Sequence, residues 1–331
     1  MKSVRLIILS CIIGLVSLSV AAQVSGDAVP RKKIGLVLGG GGAKGGAEVG
    51  ALKALEAAGI HVDYIAGTSI GAVVGCLYAA GYTADELDQM FCQQEWLSLL
   101  TDRREDLGGE PLKTINGVTY IFGFPVIDLS NSSFGVLGGN RVEQVLDSML
   151  AAKNAVEFQQ MKIPFRCVAA EMLTASEVVI SQGTVPQAVK ASMAIPGLFK
   201  PVNIDGRNLI DGGMMNNLPV DVVRDMGADY VIAIDLQQSR QETKEDNEVD
   251  SFLSAIGDLV GLGDVLNWVV SRPDIRKRNE NRQMADVYIN PPLPDYEASS
   301  FGNKNMRRMI DIGEQATREA LQKALSVKNG Q

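Results

Sequence analysis

Short apolar runs alternate along the chain with stretches in which apolar residues recur at helical spacing. The run at 34–38 is apolar throughout, which is typical of a strand buried on both faces of a sheet. A second run, at 62–66, leads into small apolar residues at 72–80 that predict a buried helix ending at Gly81. The same patterns predict further strands at 165–170, 176–180, 208–211, 230–234 and 285–289, and further helices at 47–58, 83–90, 141–152, 185–193, 220–226 and 306–325.

The turn after the second run has the sequence Gly67-Thr68-Ser69-Ile70-Gly71. A strand, a sharp turn and a helix are the context in which a G-x-S-x-G pattern exposes a nucleophilic serine. Gly67 and Gly71 lack side chains that would collide with the helix or with a substrate. Ser69 is therefore a candidate nucleophile. The alternative is a glycine-lined turn that only lets a helix pack tightly on a sheet.

The first strand runs into a glycine loop at 39–46 that precedes a helix, so several backbone N–H groups can bind an anion. One interpretation is nucleotide binding, since Gly40-x-Gly42-x-x-Gly45 is followed by Asp63 at nearly the spacing of a ribose contact. The other is an oxyanion hole, whose donors face the charge that develops on a carbonyl oxygen. The exposed serine favours the oxyanion hole, because acyl transfer needs both a donor cluster and a nucleophile.

A partner for the serine has to come from elsewhere in the chain. His61, the only histidine, enters the strand that carries Ser69 and should lie near the opposite end of the sheet, so a Ser-His-Asp triad is not expected. Asp211 ends a predicted strand before Gly212 and Gly213 and can point into a site; the alternative is an Asp-Gly hairpin turn. An aspartate near its reference pKa of about 3.9 is a weak base, which burial would have to strengthen.

Three segments, GGGGAKGG (39–46), GTSIGA (67–72) and DGG (211–213), resemble in this order those of patatin-like phospholipases. These are lipid acyl hydrolases with a Ser-Asp dyad. Residues 191–202 and the Asn-Leu-Pro at 217–219 are similar as well. Three motifs in order are far more specific than any one of them.

The resemblance implies roles for individual residues, with Ser69 as nucleophile and Asp211 as general base. It implies oxyanion-hole glycines at Gly40, Gly41 and Gly42, and supporting motif residues at Lys44, Gly45, Gly67, Gly71, Gly212 and Gly213. It also implies an α/β fold of three layers, α/β/α, with a mainly parallel central sheet, and no metal or diffusible cofactor. The expected substrate is a phospholipid or another lipid ester, with transient membrane contact.

The expected domain organisation begins with a signal peptide at 1–22, which has a basic start, an apolar centre and small residues before the cut. The alternative is a membrane anchor. A tether at 23–33 follows, and then one acyl hydrolase domain at 34–331. Within it we expect a core at 34–235, a variable charged loop and apolar helix at 237–275, and a closing strand and helix at 280–325. Export would place the protein in the periplasm or outside the cell.

Two stretches, residues 101–140 and 237–275, match the family little. Residues 101–140 are either a cover over the site or a surface excursion. The apolar helix at 252–270 is either a lipid-facing lid or, more in keeping with its pattern, core or interface packing.

Charge and cysteine content argue against nucleic-acid binding and against a cysteine metal site. The net charge is −8, and it becomes −10 when the signal peptide takes two bases with it, so nucleic-acid binding is not expected. Three cysteines would remain (Cys76, Cys92 and Cys167), an odd number without a metal-binding C-x-x-C pattern. The expected function is a serine lipid acyl hydrolase, a carboxylic ester hydrolase. The alternatives are a non-catalytic lipid-binding module and a nucleotide-binding protein; the oligomeric state stays open.

Overall fold

A computed structural model of the chain describes residues 31–94, 114–115, 118–121, 124–125, 138–196, 199–237, 274–298 and 300–329. The chain divides into two compact units, residues 1–32 and 33–331, and the first is described only at its last two residues. The predicted signal peptide, the helix predicted at 252–270 and most of 101–140 lie outside the described residues.

One sheet of eight described strands organises the larger unit. Its order is β11-β10-β1-β2-β6-β9-β8, and β7 pairs with β6; neighbours from β11 to β6 are parallel, whereas β7 and β9 pair with β6 in antiparallel fashion. The short strands β3, β4 and β5 pair with one another. The strands are β1 (Ile34–Leu38), β2 (Tyr64–Thr68), β3 (Thr114–Ile115), β4 (Val118–Ile121), β5 (Phe124–Pro125), β6 (Phe165–Glu171), β7 (Ser176–Ile180), β8 (Val202–Ile204), β9 (Arg207–Asp211), β10 (Tyr230–Ile234) and β11 (Val287–Ile289).

Helices cover both faces of the sheet. Successive side chains of a strand point to opposite faces, and those of β1 divide accordingly: Leu36 and Leu38 join one buried cluster and Val37 another. The first cluster includes residues of α1 to α5 and α8, and the second includes residues of α6. The predicted three-layer α/β/α fold is confirmed. The helices are α1 (Gly46–Ala57), α2 (Ile70–Ala80), α3 (Ala84–Gln93), α4 (Asn140–Ala152), α5 (Val185–Ser192), α6 (Val220–Asp225), α7 (Asp274–Met284) and α8 (Asn303–Asn329).

Several predicted elements differ from the observed ones at their ends. The helix predicted from residue 72 begins at Ile70, the strand predicted at 285–289 is Val287–Ile289, and the helix predicted at 306–325 spans Asn303–Asn329. Apolar periodicity marks only the buried part of an element, whereas its ends depend on local backbone hydrogen bonds.

Helix α8 packs directly against the backbone of α1. A Cβ atom on Gly50 would lie 1.9 Å from the carbonyl oxygen of Ile310, and one on Gly313 would lie 1.9 Å from that of Ala47. Just before α8, the Ala298 carbonyl accepts a 2.8 Å hydrogen bond from the Ala43 N–H. The C-terminal part of the chain therefore supports both α1 and the glycine loop that precedes it.

The first turn of α1 contains a buried acid. Glu48 is fully buried, and neither carboxylate oxygen has a hydrogen-bond partner among the described residues. Burial raises the pKa of this carboxyl well above its ordinary value; the nearby backbone N–H of Gly39 lowers the pKa by a smaller amount, and the charge of Asp235 raises it. Folded Glu48 therefore keeps a proton at pH values at which the unfolded chain has released it.

We expect the substitution Glu48→Gln to raise the Tm at pH 8 by about 1–2 °C, the shift that roughly 1 kcal/mol produces in a chain of this size. Because the folded-state pKa is raised, the wild-type protein loses stability as the pH rises above the unfolded-state pKa, and glutamine avoids that loss. Thermal melts at pH 4.5 and pH 8 measure the difference. An equal Tm difference at both pH values would contradict the protonated state of Glu48.

Candidate active site

The turn between β2 and α2 holds Ser69 in a backbone conformation that is uncommon for a residue with a side chain. Its φ is 55° and its ψ is −122°, a conformation that costs about 1–3 kcal/mol and persists only because the surrounding structure enforces it. The turn is also crowded, since a Cβ atom on Gly67 would lie 2.4 Å from the Gly71 carbonyl oxygen. The two predicted motif glycines thus allow the tight turn at which Ser69 sits.

Strands β2 and β9 bring Ser69 and Asp211 together. On β6, Val168 pairs with Thr68 of β2, and the next residue, Ala169, pairs with Asp211 of β9. Strand β7 occupies the other edge of β6, so β2 and β9 approach each other end to end along one edge. Ser69 Oγ donates a 2.8 Å hydrogen bond to Asp211 Oδ2.

The surroundings of Asp211 make it a stronger base than an ordinary aspartate. Burial raises the pKa of its carboxyl to about 6, although hydrogen bonds from the Gly213 N–H and the Ser69 hydroxyl favour the charged form. The Gly213 N–H donates to Oδ1 at 2.7 Å, and Oδ2 faces the serine. At neutral pH most of this carboxyl is ionised and can accept a proton.

The Asp-Gly hairpin suggested for 211–212 is wrong. Asp211 leads into a single 3-10 turn at Gly212–Met214, where a Cβ atom on Gly212 would lie 2.1 Å from the Val168 carbonyl oxygen. The hairpin turn lies instead at Asp205-Gly206, between β8 and β9, and both residues have the positive φ of a tight two-residue loop.

The glycine loop lies against the serine. A Cβ atom on Gly40 would lie 3.2 Å from Ser69 Cβ, and the loop is held by a 3.0 Å hydrogen bond from Asn217 Nδ2 to the Gly40 carbonyl. The Gly40 N–H donates in turn to the Asn217 carbonyl at 3.2 Å. Within the described part of the chain, no hydrogen bond from the N–H of Gly41 or Gly42 is present. These two groups are candidate donors to a ligand oxygen.

Gly45 and Lys44 complete the loop. Lys44 lies in the 3-10 turn Gly42–Gly45, and its N–H donates to the Gly41 carbonyl at 3.3 Å. A Cβ atom on Gly45 would lie 2.3 Å from Ile70 Cγ1, so this glycine lets the loop pack against the start of α2.

His61 and Asp63 lie away from these residues. Both precede β2, whereas the glycine loop and Ser69 follow the other ends of the parallel strands β1 and β2. Asp63 accepts a 2.7 Å hydrogen bond from the Ile34 N–H, and His61 is exposed. The ribose contact suggested for Asp63 is therefore wrong, because a whole strand separates it from the loop.

Two further residues contact the site: Ser192, whose Oγ accepts from the Ser69 N–H at 2.9 Å, and Asn217. In the sequence both were only part of segments similar to the family. A serine within an otherwise apolar, buried helix end was the available signal for Ser192.

The described residues offer no metal site, membrane-spanning helix or reactive cysteine beside the Ser69 site. In them, no group of three metal-binding side chains is present, and no helix has the length and apolar content to cross a membrane. Cys76 and Cys167 are buried, and burial raises the pKa of both thiols. Neither is therefore a ready thiolate nucleophile.

Comparison with known proteins identifies the family. The model of the patatin-like phospholipase family matches residues 36–224, more than half of the chain. An uncharacterized NTE family protein of Mycobacterium tuberculosis is 35% identical over 228 residues, which are 69% of this chain and 55% of that protein. Human patatin-like phospholipase domain-containing protein 6 is 32% identical over 305 residues, 85% of this chain and 20% of that protein.

The chain thus spans about half, or less, of the length of these curated relatives. Among solved structures, VipD from Legionella pneumophila matches with a TM-score of 0.47 and 16% identity, over 89% of this chain and 67% of that one. The family-model match includes the glycine loop, the Ser69 turn and Asp211. The chain belongs to the patatin-like phospholipase family.

Proposed function

We propose that this protein is a serine lipid acyl hydrolase that uses Ser69 and Asp211 as a catalytic dyad. The observation that carries the proposal is the 2.8 Å hydrogen bond between Ser69 Oγ and a buried carboxyl whose pKa is raised to about 6. A raised pKa brings a carboxylate closer to the range in which it is an effective general base. Membership of a phospholipase family supports a lipid ester as substrate.

The reaction would run in two halves. Ser69 Oγ attacks the ester carbonyl while Asp211 takes the hydroxyl proton, and the N–H groups of Gly41 and Gly42 donate to the oxygen that becomes negatively charged. Asp211 then gives its proton to the departing alcohol, which leaves an acyl-serine. Asp211 then takes a proton from a water molecule as the water oxygen attacks the acyl-serine, and it passes this proton to Ser69 Oγ as the bond between Oγ and the acyl carbon breaks. The carboxylic acid leaves, and Ser69 and Asp211 are restored.

A small apolar cavity lies next to the dyad. It borders Ala194, whose carbonyl accepts a 2.9 Å hydrogen bond from the Asp211 N–H. Apart from two lysines its lining is apolar or glycine: Gly138, Gly139, Val142, Lys190, Met193, Ala194, Phe199 and Lys200. The cavity has room for about one water molecule and is therefore too small for a hydrocarbon chain as it stands, although its apolar lining would favour one.

The destination and domain organisation belong to the same proposal. A basic and then apolar segment at 1–22 supports export of the chain, to the periplasm or out of the cell. The single hydrolase domain would span 34–331, since the closing strand and helix pack on the core that contains the dyad.

The test compares the purified protein with its Ser69→Ala variant on a short-chain p-nitrophenyl ester and on phospholipid vesicles, with chelator present. We expect wild-type turnover in chelator and a loss of about 10⁴-fold or more in the variant, because no hydroxyl remains to be acylated. Lipid binding without hydrolysis of either substrate would favour the non-catalytic binding module instead.

The same assay, repeated over a range of pH values, tests whether ionised Asp211 is the general base. Because Asp211 has to be ionised to accept the proton, kcat/KM is expected to fall as the pH drops through about 6. A limb near pH 4 would show that Asp211 is not the base in its buried state.

A further inference from the structure

One short segment contacts the backbone of both proposed catalytic residues. In Ser192-Met193-Ala194, Ser192 Oγ accepts from the Ser69 N–H at 2.9 Å, and the Ala194 carbonyl accepts from the Asp211 N–H at 2.9 Å. Ser69 directly follows β2, and Asp211 is the last residue of β9. These two strands pair with β6 and not with each other. The segment therefore links the two strand ends that face each other across the Ser69–Asp211 hydrogen bond.

The hydroxyl of Ser192 has a fixed orientation. It is fully buried and donates a 2.6 Å hydrogen bond to the Val168 carbonyl. A hydroxyl has one proton to donate, and here Val168 receives it, so towards the Ser69 N–H the Ser192 oxygen is an acceptor. Val168 lies on β6 opposite the last residue of β2, and a Cβ atom on Gly212 would lie 2.1 Å from its carbonyl oxygen. Ser192 thus joins the nucleophile to the point where β2 and β9 meet.

Building on the proposed function, we propose that Ser192 is a positioning residue for the nucleophile. Ser69 has a positive φ of 55° and lies buried in the turn, so its N–H needs an acceptor, and Ser192 Oγ supplies it. Loss of that acceptor releases the backbone that sets the place of Ser69 Oγ. A displacement of about 1 Å from the productive geometry can cost about 100-fold in rate.

The test uses Ser192→Ala and measures kcat, KM and the rate at which a fluorophosphonate modifies Ser69. We expect kcat to fall about 100-fold with little change in KM, and the fluorophosphonate rate to fall by a similar factor. A purely structural role would lower the Tm and leave both rates per folded molecule unchanged. Thr317→Val is the matched control: this buried hydroxyl in α8 has no hydrogen-bond partner among the described residues, and its removal should leave both rates unchanged.

A second variant covers the case in which Ser192→Ala does not fold. Ser192→Cys is nearly isosteric, and its thiol is a weak donor and acceptor, so both rates should again fall. Wild-type rates in a folded Ser192 variant would overturn the positioning role alone. A wild-type protein that neither hydrolyses the ester nor reacts with the fluorophosphonate would overturn the proposed function, and the positioning role with it.

Discussion

Asp211→Asn is expected to lower kcat by about 10³-fold or more while leaving the protein folded. Asparagine keeps the shape of the side chain and an oxygen for the Gly213 N–H, but its amide cannot take the proton of Ser69. General base catalysis contributes about 10²–10⁴-fold in enzymes, and here the same group also returns the proton to the leaving alcohol. Because burial disfavours the charged carboxylate, the neutral side chain should not lower the Tm. Steady-state kinetics and thermal melts measure the two effects.

Asp88→Asn provides the matched control. Asp88 is also buried, but it lies on α3 and forms ion pairs with Lys53 and Arg307. Its replacement should lower the unfolding free energy by roughly 1 kcal/mol, because the two partners are partly exposed, and leave kcat unchanged. The two substitutions should therefore have opposite effects: Asp211→Asn lowers kcat without lowering the Tm, whereas Asp88→Asn lowers the unfolding free energy and leaves kcat unchanged. Wild-type-like hydrolysis by Asp211→Asn would rule out the dyad.

Gly42→Ala is expected to lower kcat by about 10²–10³-fold, the cost of losing one oxyanion-hole donor. Gly42 has a φ of +58°, and a Cβ atom there would lie 2.4 Å from the Ala298 carbonyl oxygen. That oxygen already accepts the hydrogen bond from the Ala43 N–H, so relief of the collision moves the loop away from its support. Kinetics on the p-nitrophenyl ester, together with a thermal melt, measure the effect.

Gly59→Ala separates the collision from the backbone strain. Gly59 has a similar φ of +66°, at the end of α1, but a Cβ atom there has no neighbour within 4 Å. Both variants carry the strain of a side chain at positive φ, and only Gly42→Ala meets another backbone. Equal kcat values in the two variants would contradict the role of the Gly42 N–H.

Elements that are determined by residues adjacent in the sequence could be predicted from the sequence. The apolar strand β1, the glycine loop after it and the Ser69 turn follow from local composition, and the structure places Gly40 in contact with Ser69. The position of Asp211 depends on the register of two strands on β6, which no local pattern encodes. The sequence suggests Asp211 as the partner of Ser69 through its place at a strand end before two glycines, and the family resemblance supports the same pair, but neither predicts the strand pairing that joins them.

Burial distinguishes two Asp-Gly dipeptides that the sequence alone does not distinguish. The chain contains Asp-Gly at 205–206 and at 211–212, and the dipeptide alone does not tell which forms a hairpin. The first is an exposed turn, whereas the aspartate of the second is buried against the serine. The same burial strengthens Asp211 as a base, a property that composition cannot reveal because it depends on the packed interior.

The support that Ala298 and α8 give to the glycine loop has a consequence for the order of assembly. The ribosome makes the glycine loop early and the residue that supports it much later, since Ala298 lies 255 positions after Ala43 in the chain. A nascent chain that already contains the Ser69 turn and Asp211 still lacks the contact that shapes the loop. The described geometry is therefore complete only when Ala298 and α8 have also been made, so a shorter nascent chain does not yet contain the finished site.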